Sequence, residues 1–170
     1  MSALELPDKC YLRCYPLPEV MPPTGLKPGL GGMYAAAKDG LGQPITAAPQ
    51  TPEFFDAEGW RFGTPNDSGN IQIIFVPSGP QASIVLPTSG WTNSSETHGT
   101  PIILTDTPSY YQCQEIGRTE DGSLIYTIRP VGHLVGMDFY VGVNEKTQQL
   151  EIVAFPVGGT QEGRPGWIVY

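Results

Sequence analysis

Apolar and β-branched residues occur in short runs along the chain, and no long stretch repeats with the period of an amphipathic helix. Turn-forming residues such as Lys38-Asp39-Gly40 and Glu120-Asp121-Gly122 separate the runs. The pattern predicts about twelve strands. We place them at Cys10–Tyr15, Gly32–Ala37, Ile45–Ala48, Trp60–Gly63, Ile71–Val76, Ser83–Leu86, Pro101–Thr105, Tyr110–Ile116, Leu124–Arg129, Phe139–Val143, Leu150–Phe155 and Trp167–Tyr170.

An internal repeat suggests how these strands are arranged. Runs beginning at Ile45, Ile102 and Leu150 are each followed by a Pro- or Gly-rich loop and then by an aromatic residue. Trp60 and Gln112 are 52 residues apart, and Gln112 and Trp167 are 55 apart, which is the spacing of a four-strand unit repeated three times. We therefore predict an all-β chain, a β-trefoil of about twelve strands in three pseudo-repeats, forming a single domain over residues 1–170. Closing the sheet into a barrel would leave few exposed strand edges.

Aromatic residues should fill the core of this barrel. Trp60 and Trp167 are expected at pseudo-threefold-related positions, with Tyr111 or Cys113 near the third. Trp91 follows Thr88-Ser89-Gly90, and we expect it on a loop.

Composition and charge exclude several classes of function. Glycine and proline together make up 39 of 170 residues, which is incompatible with a helical bundle. The formal net charge of −8 argues against nucleic-acid binding and against attraction to an anionic membrane. The segment Met1–Cys10 lacks the apolar stretch of a signal peptide, so we expect a cytoplasmic protein.

The three cysteines are expected to be free thiols. Cys10 and Cys14 lie four residues apart on one predicted strand, which separates them by about 13 Å. That distance is too long for a disulfide. Cys113 is expected to be a buried apolar residue.

No pattern for catalysis or for cofactor binding is present. His98 and His133 stand in no zinc-binding spacing, and there is no GxSxG nucleophile motif. Gly29-Leu30-Gly31-Gly32 matches no nucleotide-binding motif and precedes a predicted strand rather than a helix. We expect neither an enzyme nor a bound metal or cofactor.

The most unusual segment is Pro16–Gly31. The segment contains five prolines, four of them in its first half, where they stiffen an extended backbone. Its second half is rich in glycine, which allows the backbone to approach a partner closely. Loops of this length in compact domains are usually functional or disordered.

Several segments, in order, resemble the mycocypins. Gly31–Gly40 followed by Pro44-Ile45-Thr46-Ala47 resembles the macrocypin group of that family. Gln50–Phe55 ahead of Trp60, and Phe155-Pro156-Val157 before Gly163–Trp167, resemble the clitocypin group. The resemblance covers both ends of the chain well and the middle, about 77–115, poorly.

The resemblance implies a fungal β-trefoil inhibitor of papain-like cysteine proteases, which blocks the protease cleft with two loops. Here they are the β1–β2 loop, Pro16–Gly31, and the β3–β4 loop, Pro49–Gly59. We expect a reversible, monomeric inhibitor. The expected protease-binding residues are Pro28, Gly29, Leu30, Gly31, Gly32, Pro49, Gln50, Thr51, Pro52, Glu53 and Phe54. Of Phe54 and Phe55, one is expected in the core.

Inhibition of legumain is doubtful. Family members that inhibit this protease use an Asn between strands five and six, and the corresponding segment, Pro77–Ala82, contains Gln81 instead. Asn93 on the following loop is a possible substitute.

Two alternative functions remain open. A trypsin-like protease inhibitor would need an exposed basic residue, for which Lys38, Arg118, Lys146 and Arg164 are candidates. A carbohydrate-binding trefoil lectin would use Trp91, Asn93 or aromatic loop residues.

Overall fold

The computed structural model describes residues 8–17, 33–79, 88–132, 136–158 and 164–170. The described residues form twelve strands and one short 3₁₀ helix. In chain order the strands are β1 Leu12–Leu17, β2 Met33–Ala36, β3 Thr46–Pro49, β4 Trp60–Phe62, β5 Ile73–Phe75, β6 Gly90–Thr92, β7 Ile103–Thr105, β8 Tyr111–Arg118, β9 Leu124–Pro130, β10 Met137–Val143, β11 Leu150–Pro156 and β12 Arg164–Val169. The 3₁₀ helix is Phe55–Ala57. Over these ranges there is no helix long and apolar enough to cross a membrane.

Six strands close into a barrel. Ladders join β1 to β12, β12 to β9, β9 to β8 and β4 to β5, all antiparallel. Two reciprocal backbone pairs complete the circle: Cys10 with Trp60, and Ile71 with Tyr111. In each pair both residues donate an N–H to the partner's carbonyl, at distances of 2.7–2.9 Å. The barrel strands therefore have few unpaired edges.

The other six strands form three hairpins that cap the barrel, namely β2–β3, β6–β7 and β10–β11. Where they meet, the backbone N–H of Ile45 donates to the Ile102 carbonyl at 2.8 Å, and that of Ile102 donates to the Leu150 carbonyl at 2.8 Å. The N–H of Leu150 donates back to the Ile45 carbonyl at 2.9 Å. All three side chains are completely buried. This cyclic set of hydrogen bonds marks a pseudo-threefold axis, and the β-trefoil prediction is confirmed.

Each repeat ties its fourth strand to its second by one side-chain hydrogen bond. Trp60 donates its indole N–H to the Ala35 carbonyl at 2.8 Å, and Trp167 donates to Val141 at 2.9 Å. In the middle repeat Tyr111 donates its hydroxyl to the side chain of Asn93, the residue that directly follows β6, at 2.7 Å. The expected positions of Trp60 and Trp167 are confirmed, and Tyr111 occupies the third position.

Trp91 lies in the core, so the expectation of a loop position is wrong. It is part of β6 and has no exposed surface. Its ring centroid lies 5.6 Å from Trp60, 6.0 Å from Tyr111 and 5.9 Å from Trp167, in edge-to-face contacts. One ring thus contacts all three pseudo-threefold-related aromatics.

The other differences from the expected strands are small. Ser83–Leu86 lies outside the described residues. β6 is not among the expected strands, because Ser89-Gly90 resembles a turn. The last strand begins at Arg164 rather than Trp167, since Pro165 and Gly166 pair with β1 in spite of their usual role as strand breakers.

The three cysteines are free, as expected. Burial raises the pKa of the Cys10, Cys14 and Cys113 thiols to about 12. Because the thiolate is the nucleophilic form, these thiols are unreactive near neutral pH.

A comparison of tryptophan variants will test the two roles of the indole rings. The Trp91 indole nitrogen has no hydrogen-bond partner among the described residues, whereas Trp60 supplies the donor for the Ala35 carbonyl. Trp60→Phe should therefore reduce the free energy of unfolding by about 1–3 kcal/mol more than Trp91→Phe, because it leaves a buried acceptor unpaired. Denaturant unfolding measures both values.

Trp167→Phe is the matched control and should behave like Trp60→Phe, since Trp167 bonds Val141 in the same way. Equal losses for all three variants would show that ring volume alone determines stability at these positions.

Candidate functional site

The β3–β4 loop has a defined backbone conformation. Thr51 donates its N–H to the Pro49 carbonyl at 2.9 Å. The Thr51 carbonyl accepts hydrogen bonds from Phe54 at 3.0 Å and from Phe55 at 2.9 Å. The chain then enters the 3₁₀ helix, and the Ala57 carbonyl accepts a hydrogen bond from Ala37 at 2.9 Å. Local bonds and one tertiary bond therefore hold the loop in place.

The surface of this loop is polar at its tip and aromatic at its base. Gln50, Pro52 and Glu53 are exposed. Phe54 is half-buried, with the Lys38 ammonium 5.5 Å from its ring centroid. Phe55 is 41% exposed, so the expectation that one of these two rings is in the core is wrong. A 3₁₀ turn directs both rings to the surface of the barrel instead.

The position of Phe55 is determined by two neighbours. Its ring centroid lies 5.2 Å from that of Tyr11, and the Lys9 ammonium lies 5.9 Å from its centre. Lys9 also donates to the Ser78 hydroxyl at 2.7 Å, just after β5. One lysine thus connects the 3₁₀ helix with the start of the β5–β6 loop.

A close backbone approach strengthens this connection. Ser78 donates its N–H to the Asp56 carbonyl at 3.3 Å. Gly79 has a φ of +56°, and a Cβ added there would lie 2.5 Å from the Asp56 carboxylate. The positive φ favours glycine at this point, and a side chain there would also displace the Asp56 carboxylate. The rest of the segment corresponding to Pro77–Ala82, including Gln81, lies outside the described residues.

The β1–β2 loop between Leu17 and Met33 lies outside the described residues, and with it the expected contacts Pro28, Gly29, Leu30, Gly31 and Gly32. Its two attachment points are described. Met33 is paired with Pro49, where the β3–β4 loop begins, and Leu17 is paired with Arg164. The end of one loop and the beginning of the other are thus side by side on the β2–β3 ladder.

A buried acid lies at the base of the β3–β4 loop. Glu58 has no exposed surface, and its carboxylate oxygens have no hydrogen-bond partner among the described residues. Burial raises the pKa of Glu58 from its ordinary value of 4.5 to about 7. The side chain is therefore protonated over much of the acidic range.

Two residues considered for other functions have structural roles. Asn93 accepts a hydrogen bond from the Tyr111 hydroxyl at 2.7 Å and donates its amide to the Ser95 carbonyl at 3.0 Å, so both ends of its amide make hydrogen bonds within the fold. Arg164 is 2% exposed and bonds Asp138 at 2.9 Å and the Tyr140 hydroxyl at 2.7 Å. The structure thus contradicts Arg164 as an exposed basic residue for a trypsin-like pocket.

The remaining basic candidates differ in their surroundings. Lys38 is exposed beside Phe54, and Lys146 is exposed in the turn of the β10–β11 hairpin. Arg118 lies 3.6 Å from the Glu115 carboxylate.

Of the two histidines, which we do not expect to bind zinc, only His98 lies within the described residues. His98 accepts the Ala154 N–H on its Nδ1 at 3.1 Å, which ties the β6–β7 loop to β11. His133 lies outside the described ranges. Within those ranges there is no group of three or more His, Cys, Asp or Glu side chains that could hold a metal ion.

Comparison with known proteins identifies the kind of protein that carries these loops. The family model described as "Peptidase inhibitor clitocypin" matches residues 15–169. Clitocypin-5 of Clitocybe nebularis is 34% identical over 140 residues, covering 82% of this chain and 84% of that protein. Clitocypin-4/-3 of the same species is equally similar, and Clitocypin is 31% identical over 82% of this chain and 85% of that protein.

The class is therefore a β-trefoil peptidase inhibitor. Proteases are its partners, and it is not an enzyme. The chain belongs to the clitocypin family of peptidase inhibitors.

The buried acid gives a pH prediction. Because the pKa of Glu58 is higher in the folded state than its ordinary value, the folded chain retains this proton while the unfolded chain loses it. The contribution of Glu58 to stability should be complete below about pH 4.5 and should decline as the pH rises to about 7. Glu58→Gln should remove this decline.

Urea unfolding across this pH range measures the free energy of unfolding of the parent and of Glu58→Gln. Subtracting one from the other at each pH cancels the contributions of the other carboxylates. An unchanged difference in the free energy of unfolding would show that Glu58 is ionised in the fold.

Proposed function

We propose that this protein is a reversible, monomeric inhibitor of papain-like cysteine proteases, and that its β1–β2 and β3–β4 loops together occupy the active-site cleft. The observation that carries the proposal is the pairing of Met33 with Pro49. Antiparallel partners lie about 5 Å apart, so the two loops join the β2–β3 ladder at adjacent points. Residues from both loops can therefore contact one continuous cleft.

The conformation of the β3–β4 loop supports this role. Its hydrogen bonds between Pro49, Thr51, Phe54 and Phe55 exist in the free protein, and its tip is exposed. A segment that is already ordered loses little conformational entropy on binding. The loop is thus prepared to contact one side of the cleft, with Phe54 as an apolar contact and Gln50, Thr51, Pro52 and Glu53 as polar or rim contacts.

The composition of the β1–β2 loop supports occlusion by backbone rather than by one large side chain. Gly29, Gly31 and Gly32 present no side chain, so the main chain can lie close to a catalytic thiolate. Pro28 before them restricts the backbone. A protease whose cleft is blocked in this way should not cleave the inhibitor at a useful rate.

Substitutions in the glycine-rich segment test this proposal. Gly29→Arg and Gly31→Arg should each weaken papain inhibition by about 2–4 kcal/mol of binding free energy, as the loss of a central interface contact does. Glu53→Ala should cost less, because Glu53 is an exposed rim residue. The inhibition constant for papain measures the effect, and circular dichroism verifies folding.

Gly117→Arg is the matched control. Gly117 lies on β8, outside both loops, with no heavy atom within 4 Å of an added Cβ. Its variant should inhibit as the parent does. If folded Gly29→Arg and Gly31→Arg also inhibit as the parent does, the first loop is not the inhibitory surface. A parent that leaves papain active would exclude the papain-like target.

Legumain should be inhibited weakly or not at all. This protease requires an asparagine beside the scissile bond, and Gln81 is one methylene longer. A pocket built to pair with one amide rejects an ill-fitting one, because its own polar groups then stay unpaired. Residual legumain activity should remain high at inhibitor concentrations that block papain.

Gln81→Asn is the informative variant and should increase legumain inhibition if this loop reaches the protease. Tight inhibition by the parent that is abolished by Asn93→Ala, and not by Gln81→Ala, would overturn the assignment of the loop. It would also require the Asn93–Tyr111 hydrogen bond to open.

A further inference from the structure

A cleft between the first two repeats is not used by the proposed inhibitory loops. It has a volume of about 550 Å³. Its walls come from β4 and β5, from the loop between them, from Thr88 just before β6, and from the segment that joins β7 to β8. Arg61, Gln72, Asp106, Pro108 and Tyr110 are among the residues that line it. We propose that this cleft binds a neutral carbohydrate the size of a mono- or disaccharide.

The wall that carries the aromatic ring is rigid. Gln72 donates its side-chain amide to the Pro108 carbonyl at 2.9 Å. Ser109 donates its N–H to the Trp91 backbone carbonyl at 2.9 Å, and Tyr111 exchanges two backbone hydrogen bonds with Ile71. Tyr110 lies between these two fixed residues and is 40% exposed. Its ring is therefore an accessible apolar surface on an ordered backbone.

Two charged groups in the cleft have no partner in the described part of the chain. Arg61 and Asp106 form no ion pair with each other or with any other described residue, and no side-chain hydrogen bond of either is present there. The guanidinium can donate several hydrogen bonds, and the carboxylate can accept several. The Gln72 Oε1 is a further acceptor, since only its amide nitrogen is bonded to Pro108.

These groups define the chemistry of the ligand. One positive and one negative side chain make the cleft neutral overall, and the formal net charge of −8 on the protein disfavours an anionic ligand. A sugar hydroxyl both donates and accepts, so a carbohydrate offers hydrogen-bond partners to both Arg61 and Asp106. The C–H face of a pyranose ring can pack on Tyr110. The cleft volume lies within the ordinary range for small-molecule sites.

Saturation-transfer difference NMR with diacetylchitobiose, cellobiose, lactose and methyl α-mannoside tests this assignment. At least one of these sugars should receive saturation, with a dissociation constant on the order of millimolar, as expected for an open polar cleft. Tyr110→Ala and Asp106→Asn should each weaken that binding about tenfold or more, which corresponds to roughly 1.4 kcal/mol.

Ile116→Ala and Asp39→Asn are matched controls at exposed positions outside the cleft, and they should bind the sugar as the parent does. Tyr110→Ala should also retain the parent's protease inhibition, which separates this site from the inhibitory loops.

Three results would overturn the proposal. The first is the absence of saturation transfer to all four sugars. The second is sugar binding that survives Tyr110→Ala. The third is Tyr110-dependent binding of a blocked Gly-Arg-Gly peptide without sugar binding, which would assign the cleft to a protein partner.

Discussion

The contact of four buried aromatic rings is the interaction on which the rest of the structure depends. Trp60, Tyr111 and Trp167 come from the three repeats, and Trp91 contacts each of them. Because the twelve strands are short, no repeat can bury its apolar side chains alone. The barrel closes around this cluster, and the closing backbone pairs begin at two of the same residues, Trp60 and Tyr111.

The pseudo-symmetry is maintained by complementary volumes rather than by identical residues. Ala35 and Val141 accept the indole N–H groups of the first and third repeats. The middle repeat has the smaller donor, Tyr111, and it carries the large Trp91 on its second strand. The smaller volume of Tyr111 on β8 is thus offset by the larger volume of Trp91 on β6, which maintains dense packing.

A closed frame allows the loops to vary. The cap is secured by the cyclic hydrogen bonds of Ile45, Ile102 and Leu150, so loops between strands can lengthen without exposing a ladder. The inhibitory loops and the Tyr110 cleft use different connections of the same frame. Their positions relative to the barrel depend on strand register, as the pairing of Met33 with Pro49 shows.

Sequence alone determined the all-β class, the threefold repeat, the positions of Trp60 and Trp167 and the free state of the cysteines. Each of these depends on local spacing, which the chain shows directly. The composition of Pro16–Gly31 also marks the β1–β2 loop as unusual, whereas the β3–β4 loop is assigned through the family resemblance.

Tertiary structure decided which of several side chains are buried and which are exposed, because local spacing does not show their neighbours. Trp91 follows residues typical of a turn, and it is in the core because a space exists there among rings from all three repeats. Phe55 is at the surface because the 3₁₀ helix and Tyr11 hold it there. Arg164 is buried because Asp138 and Tyr140, far away in the chain, supply its partners. In each case the environment of the side chain is made by residues distant in sequence, and only the folded chain brings them together.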